Sequence, residues 1–94
     1  MVKKTKTLGR LKKDLWKLFS LYIRKKYADD NGYVSCVTCG LTKHYTQMQA
    51  GHFIPRAQGN ATYFEETNVH PQDYRCNINL GGNGPEYYAF MERT

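Results

Sequence analysis

No run of apolar residues in this chain is long enough to cross a bilayer, and no apolar segment follows the N-terminal lysines as it would in a secretory signal. Cysteine is scarce. The three present are an odd number, and two of them share one tight turn, which argues against a disulfide framework. These absences predict a soluble protein of a reducing compartment. Internal repeats and low-complexity segments are missing too. The apolar material is thin: hydrophobic residues are 40% of the 94, and eight of them are amphipathic tyrosines. One domain with so little to bury sits near the lower limit of self-supporting cores and favours a metal staple.

Acidic residues are outnumbered by lysine and arginine, eight to fourteen, for a net charge of +6. Charge alone is as compatible with plain solubility as with a polyanionic partner. Its placement is more telling, because ten of the fourteen cations precede Cys36 and the remainder of the chain is close to neutral. That asymmetry predicts a basic arm on a separate core, with Lys13, Lys17 and Arg24 on one helix face touching the backbone of DNA.

The periodicity predicts a helix from about Thr7 to Ala28, weakened in its first turn by Gly9, after which a delayed start is the alternative. Leu8, Leu11, Leu15, Leu18 and Tyr22 form an apolar stripe, widened by Trp16, Phe19 and Ile23 and expected to pack in the core. Asp29-Asp30-Asn31-Gly32 ends it. Short strands are expected at Tyr33 to Ser35, Met48 to Ile54 and Asn68 to Gln72, with a loop from Arg56 to Glu66 and a short turn or helix from Cys76 to Leu80. Pro85 suits the first position of a last helix. The chain stops within that helix, so a longer natural protein is expected. The reading is α+β: residues 1–30 as the basic helix and 31–94 as the core with its C-terminal helix, compact overall.

Cys36-Val37-Thr38-Cys39-Gly40 has the form of a turn that presents two thiolates to zinc. A second Cys-x-x-Cys would close the tetrahedron, but the chain reads Asp73-Tyr74-Arg75-Cys76. Three outcomes stay open. Asp73 can complete a Cys₃Asp site, His44 or His70 can take its place, or the thiols can pack without metal as small apolar groups.

Several stretches in order resemble the NinG (Rap) recombination-protein family of lambdoid phages, and more broadly the ββα-metal, or HNH, nucleases. They are Leu18 to Arg24, the Cys36–Gly40 turn, Gly51-His52-Phe53-Ile54-Pro55-Arg56, Asn68 to Gln72, Tyr74 to Asn77 and Gly81 to Asn83, spanning about Leu8 to Tyr88. The resemblance implies a small ββα-metal core with a zinc-knuckle and a long N-terminal helix. It implies a DNA endonuclease using Mg²⁺ or Mn²⁺, with Zn²⁺ as a structural ion and branched recombination intermediates as DNA partners. His52 matches the general base, Asn77 the catalytic metal ligand, and Asn68 the residue that orients the histidine-bearing loop. Arg56 is placed to hold a phosphate.

Many HNH enzymes carry a metal-binding aspartate directly before the histidine. Here Gly51 stands there, as it does in NinG-like sequences, which leaves a second metal ligand unassigned and lets His52 share in metal binding. Plainer roles exist for each residue: a hydrogen-bonded strand histidine, a helix-capping asparagine, a solvated arginine. Two non-enzymatic functions remain beside cleavage, a zinc-knuckle DNA-binding module and a recombination accessory protein. A phage origin would place the protein in the cytoplasm of a bacterial host, and cutting both strands of a junction would favour a homodimer.

Overall fold

The computed structural model describes residues 7–55 and 62–94. Helix α1 runs from Leu8 to Lys26. Thr7 caps it by accepting the Arg10 amide at 3.2 Å, so the helix starts before Gly9 rather than after it. Arg24, Lys25 and Lys26 fill its last turn, where cations oppose the negative end of the helix dipole.

Among the described residues four short strands make two separate antiparallel hairpins. Strands β1 (Tyr33–Ser35) and β2 (Thr42–His44) pair with Val34 opposite Lys43, and residues 36–41 between them carry the first two cysteines. Strands β3 (Gln49–His52) and β4 (Val69–Gln72) pair with Gly51 opposite His70 and His52 opposite Val69. The Val37 amide donates to the Pro71 carbonyl at 3.0 Å and joins the two hairpins. A π-helical turn (Arg75–Asn79) follows β4, and helix α2 (Gly84–Arg93) closes the described chain with Pro85 in its first turn. No helix among the described residues is long and apolar enough to cross a membrane.

Side chains alternate across the β3–β4 hairpin, so each face has its own cover. Ala50 and Val69 meet Ile23 of α1, with Trp16 and Phe19 packed around them. On the other face Gln49, Gly51, His70 and Gln72 look towards the cysteine turn, the π-helical turn and α2. A second apolar cluster joins Val34, Cys36, Met48 and Cys76.

The leucine stripe of α1 is not in the core. Leu8 is 86% exposed and Leu18 67%, while Ile23 is wholly buried. The helix uses its Trp16–Phe19–Ile23 edge because the partners across from it are the strand residues Ala50 and Val69 and the aromatic rings of Tyr63 and Phe64. Ile23→Ala is therefore expected to cost about 2–5 kcal/mol of stability. Leu18→Gln should stay within about 0.5 kcal/mol. Urea denaturation of the two variants checks the difference.

Candidate active site and metal centre

Cys36, Cys39, Asp73 and Cys76 come together, with one ligand atom from each lying within 4.8 Å of the others. At about 2.3 Å from zinc, tetrahedral sulfur ligands stand about 3.8 Å apart, so a small contraction would close this cluster on an ion. The cluster can hold a metal ion such as zinc. Gly40, at φ 81°, completes the turn: its amide returns to the Cys36 carbonyl at 2.9 Å, in a backbone conformation that favours glycine.

Asp73 divides its two oxygens. Oδ1 accepts the Cys76 amide at 2.8 Å, capping the turn that carries Cys76 and Asn77, and Oδ2 accepts the Cys39 thiol at 2.8 Å. Partial burial, then the hydrogen bond to Asp73, pushes the Cys39 thiol up to about 12. Burial also raises the Cys36 thiol, but hydrogen bonds from Thr38 and nearby amides outweigh it and bring it below its ordinary value. The Asp73 carboxyl is likewise raised by burial and lowered further by its bonds to Cys39 and Cys76, for a net fall. A charged oxygen thus faces a protonated sulfur, and metal binding would displace that proton.

Neither candidate histidine enters the cluster. His44 Nδ1 lies 2.9 Å from Thr46 Oγ1, and His70 Nδ1 lies 2.8 Å from the Tyr87 hydroxyl. Asp73→Cys would supply a softer fourth ligand. The expected result is tighter zinc binding and a higher melting temperature, and equal values in both proteins would remove residue 73 from the ligand set.

His52 and Asn77 line one cleft of about 630 Å³, together with Trp16, Ser20, Arg24 and Gln49. The His52 ring stacks on Trp16, with centroids 4.8 Å apart, and packs against Tyr63 at 4.9 Å. Its Nε2 is 2.9 Å from the Tyr63 carbonyl oxygen. A carbonyl can only accept, so Nε2 carries the proton and the basic lone pair of the neutral ring is on Nδ1. Asn77 Nδ2 donates to Gln49 Oε1 at 2.7 Å, which orients its carboxamide.

Asn68 is buried and binds both flanks of the segment beyond His52. Its Oδ1 accepts the Ile54 amide at 2.7 Å, and its Nδ2 donates to the Ile54 and Thr62 carbonyls, both at 3.1 Å. It therefore braces the backbone on either side of residues 56–61 and does not itself line the cleft.

A second brace comes from α2. The Tyr87 hydroxyl donates to the Gly51 carbonyl at 2.7 Å, so its oxygen is left to accept from His70 Nδ1–H. Burial pushes the Tyr87 phenol up and His70 down, which keeps both neutral as this chain requires. It fixes the backbone one residue before His52. Sequence reading missed Tyr87 and His70 in this role, because their pairing bridges distant segments and leaves no local period.

Arg24 is half-buried and lines the cleft rather than an open basic face. Its Nε donates to the Ser20 carbonyl at 3.1 Å and its Nη1 to the Tyr45 carbonyl at 2.9 Å. Burial lowers its pKa from the ordinary arginine value. Lys13 and Lys17 are solvent-exposed. Arg56, expected at a phosphate, lies outside the described residues.

Comparison with curated proteins and with solved structures gives no significant match. The family model described as Bacteriophage Lambda NinG protein matches residues 1–93, nearly the entire sequence, and the chain belongs to that family.

Proposed function

We propose that the chain is a DNA endonuclease dependent on Mg²⁺ or Mn²⁺, acting on branched recombination intermediates, with an HNH-like ββα-metal core made by β3, β4 and the π-helical turn. The observation that carries this reading is the meeting of His52 and Asn77, brought from separate elements to one cleft. His52 takes a proton from the attacking water through Nδ1, while the Tyr63 carbonyl holds the ring by its other nitrogen. Asn77 offers Oδ1, a hard neutral oxygen of the kind Mg²⁺ accepts beside its retained waters. The bound cation would neutralise charge developing on the phosphate and the leaving oxygen.

Asn68 is a positioning residue that holds the segments flanking residues 56–61, and Arg24 supplies a fixed positive charge in the cleft wall. Cys36, Cys39, Asp73 and Cys76 would hold Zn²⁺, which would lock the turn that presents Asn77. Lys13 and Lys17 would follow the DNA backbone outside the cleft.

Exposed leucines support a second function. Leu8, Leu11, Leu15, Leu18 and Tyr22 recur at spacings of three and four on the outer side of α1, a pattern that pairs helices. It suits an accessory protein working through protein contacts, and it equally suits a homodimer of the nuclease. The deciding experiment incubates zinc-loaded protein with linear, supercoiled and four-way-junction DNA, with Mg²⁺ added or withheld. Mg²⁺-dependent cleavage supports the nuclease. Salt-sensitive binding without cleavage replaces it with a binding module, and neither property leaves the accessory function.

A further inference from the structure

Gln72 is wholly buried in β4, opposite Gln49. Its Nε2 donates to the Gly82 carbonyl at 2.8 Å and to Thr38 Oγ1 at 3.2 Å. Because the Gly82 carbonyl only accepts, the amide end of Gln72 is fixed there and Oε1 points the other way, towards β3. That oxygen has no hydrogen-bond partner among the described residues. Buried carbonyl oxygens in native proteins are generally satisfied, so one held without a donor by two bonds at its other end calls for a ligand.

Gly51 marks where the oxygen goes. A β-carbon built on Gly51 would overlap Gln72 Oε1 and stand 2.8 Å from Gln72 Cδ and 2.9 Å from Asn77 Oδ1. Asn77 has its Nδ2 engaged by Gln49, which turns its oxygen to the same point. Two carboxamide oxygens, one from β4 and one from the π-helical turn, thus converge over a residue with no side chain, one position before His52. Acceptor facing acceptor repels unless a cation or a hydrogen-bond donor stands between them. Mg²⁺ and Mn²⁺ take oxygen ligands, and the neighbouring oxygens of an octahedral Mg²⁺ shell are about 3 Å apart.

We infer that Gln72 Oε1 and Asn77 Oδ1 together bind a divalent cation between β4 and the π-helical turn, behind the cleft wall that Asn77 forms, with Gly51 as the gap that lets Gln72 reach it. The site's catalytic purpose rests on the nuclease reading; its geometry does not. Zinc-loaded protein is titrated with Mn²⁺ and the free ion followed by electron paramagnetic resonance. Wild type is expected to bind one Mn²⁺, and Gln72→Ala to weaken it about ten- to a hundredfold. The double variant Gly51→Asp with Gln72→Ala places a carboxylate in the vacated space and should regain wild-type affinity or better.

Unchanged affinity in Gln72→Ala overturns the inference, and it is the result expected if the Asn77 amide is turned so that Nδ2 caps Gln72 Oε1. Should Gln72→Ala fail to fold, wild type alone decides. Mn²⁺ must selectively broaden the Gly51 backbone and Asn77 side-chain amide signals, and sparing them sinks the site. Cleavage measured in parallel separates the two ideas. Cleavage with Mn²⁺ affinity indifferent to Gln72 keeps the nuclease and discards this site, whereas Mn²⁺ held through Gln72 without cleavage does the reverse.

Discussion

His52→Gln is expected to lower Mg²⁺-dependent DNA cleavage by about 10²–10⁴-fold, the usual contribution of a positioned general base. Glutamine can still donate from its amide to the Tyr63 carbonyl, which now receives the Nε2 hydrogen bond, but it has no basic nitrogen to replace Nδ1. His52→Ala should be as inactive and also less stable, since it removes a ring stacked between Trp16 and Tyr63. The pair of variants separates chemistry from packing. Cleavage, zinc content and melting temperature are measured on both, and retained cleavage in either would end the assignment of His52 as base.

Withdrawing a metal ion from the cluster of Cys36, Cys39, Asp73 and Cys76 should have the largest effect on the fold. Domains of this size are held by roughly 0.05–0.15 kcal/mol per residue. Apparent zinc binding in small thiolate and histidine sites is worth about 10–16 kcal/mol, and a carboxylate in place of one thiolate should give less. Even a reduced value rivals the stability of the entire domain. Cys76 is wholly buried, it belongs to the cluster with Val34 and Met48, and its amide is capped by Asp73. Cys76→Ala is therefore expected to abolish zinc binding and leave a chain without a cooperative melt, as chelation of the wild type should. Zinc analysis with near-ultraviolet circular dichroism checks both. A chelated protein that melts cooperatively at the original temperature would make the cysteines ordinary core residues.

The cysteine cluster was legible in sequence down to Asp73, because a metal turn is set by short spacing and tolerates few geometries. Helix α1 was legible in extent but not in orientation. Counting leucines finds the most apolar stripe, whereas burial follows what stands opposite, here the aromatic rings around His52. Strand β2 was missed: Thr42-Lys43-His44 has no apolar alternation, and pairing with β1 alone defines it. The hydrogen bonds of Asn68 run to backbone at Ile54 and Thr62, near it in sequence, so they are of the local kind that a sequence can suggest. Gln72 gave no local signal, because its partners Thr38 and Gly82 come from two distant turns.

Positions 51 and 72 share one volume, and that has an evolutionary consequence. A side chain cannot enter at 51 while a long one occupies 72, so the two sites cannot drift independently. Across homologous chains, glycine at the first should travel with glutamine or a residue of similar length at the second. An acidic or larger residue at the first should travel with a small one. The covariation would run between diagonal neighbours on adjacent strands, position 72 lying two residues from the direct partner of position 51, and would identify lineages in which the same pocket is filled from the opposite strand.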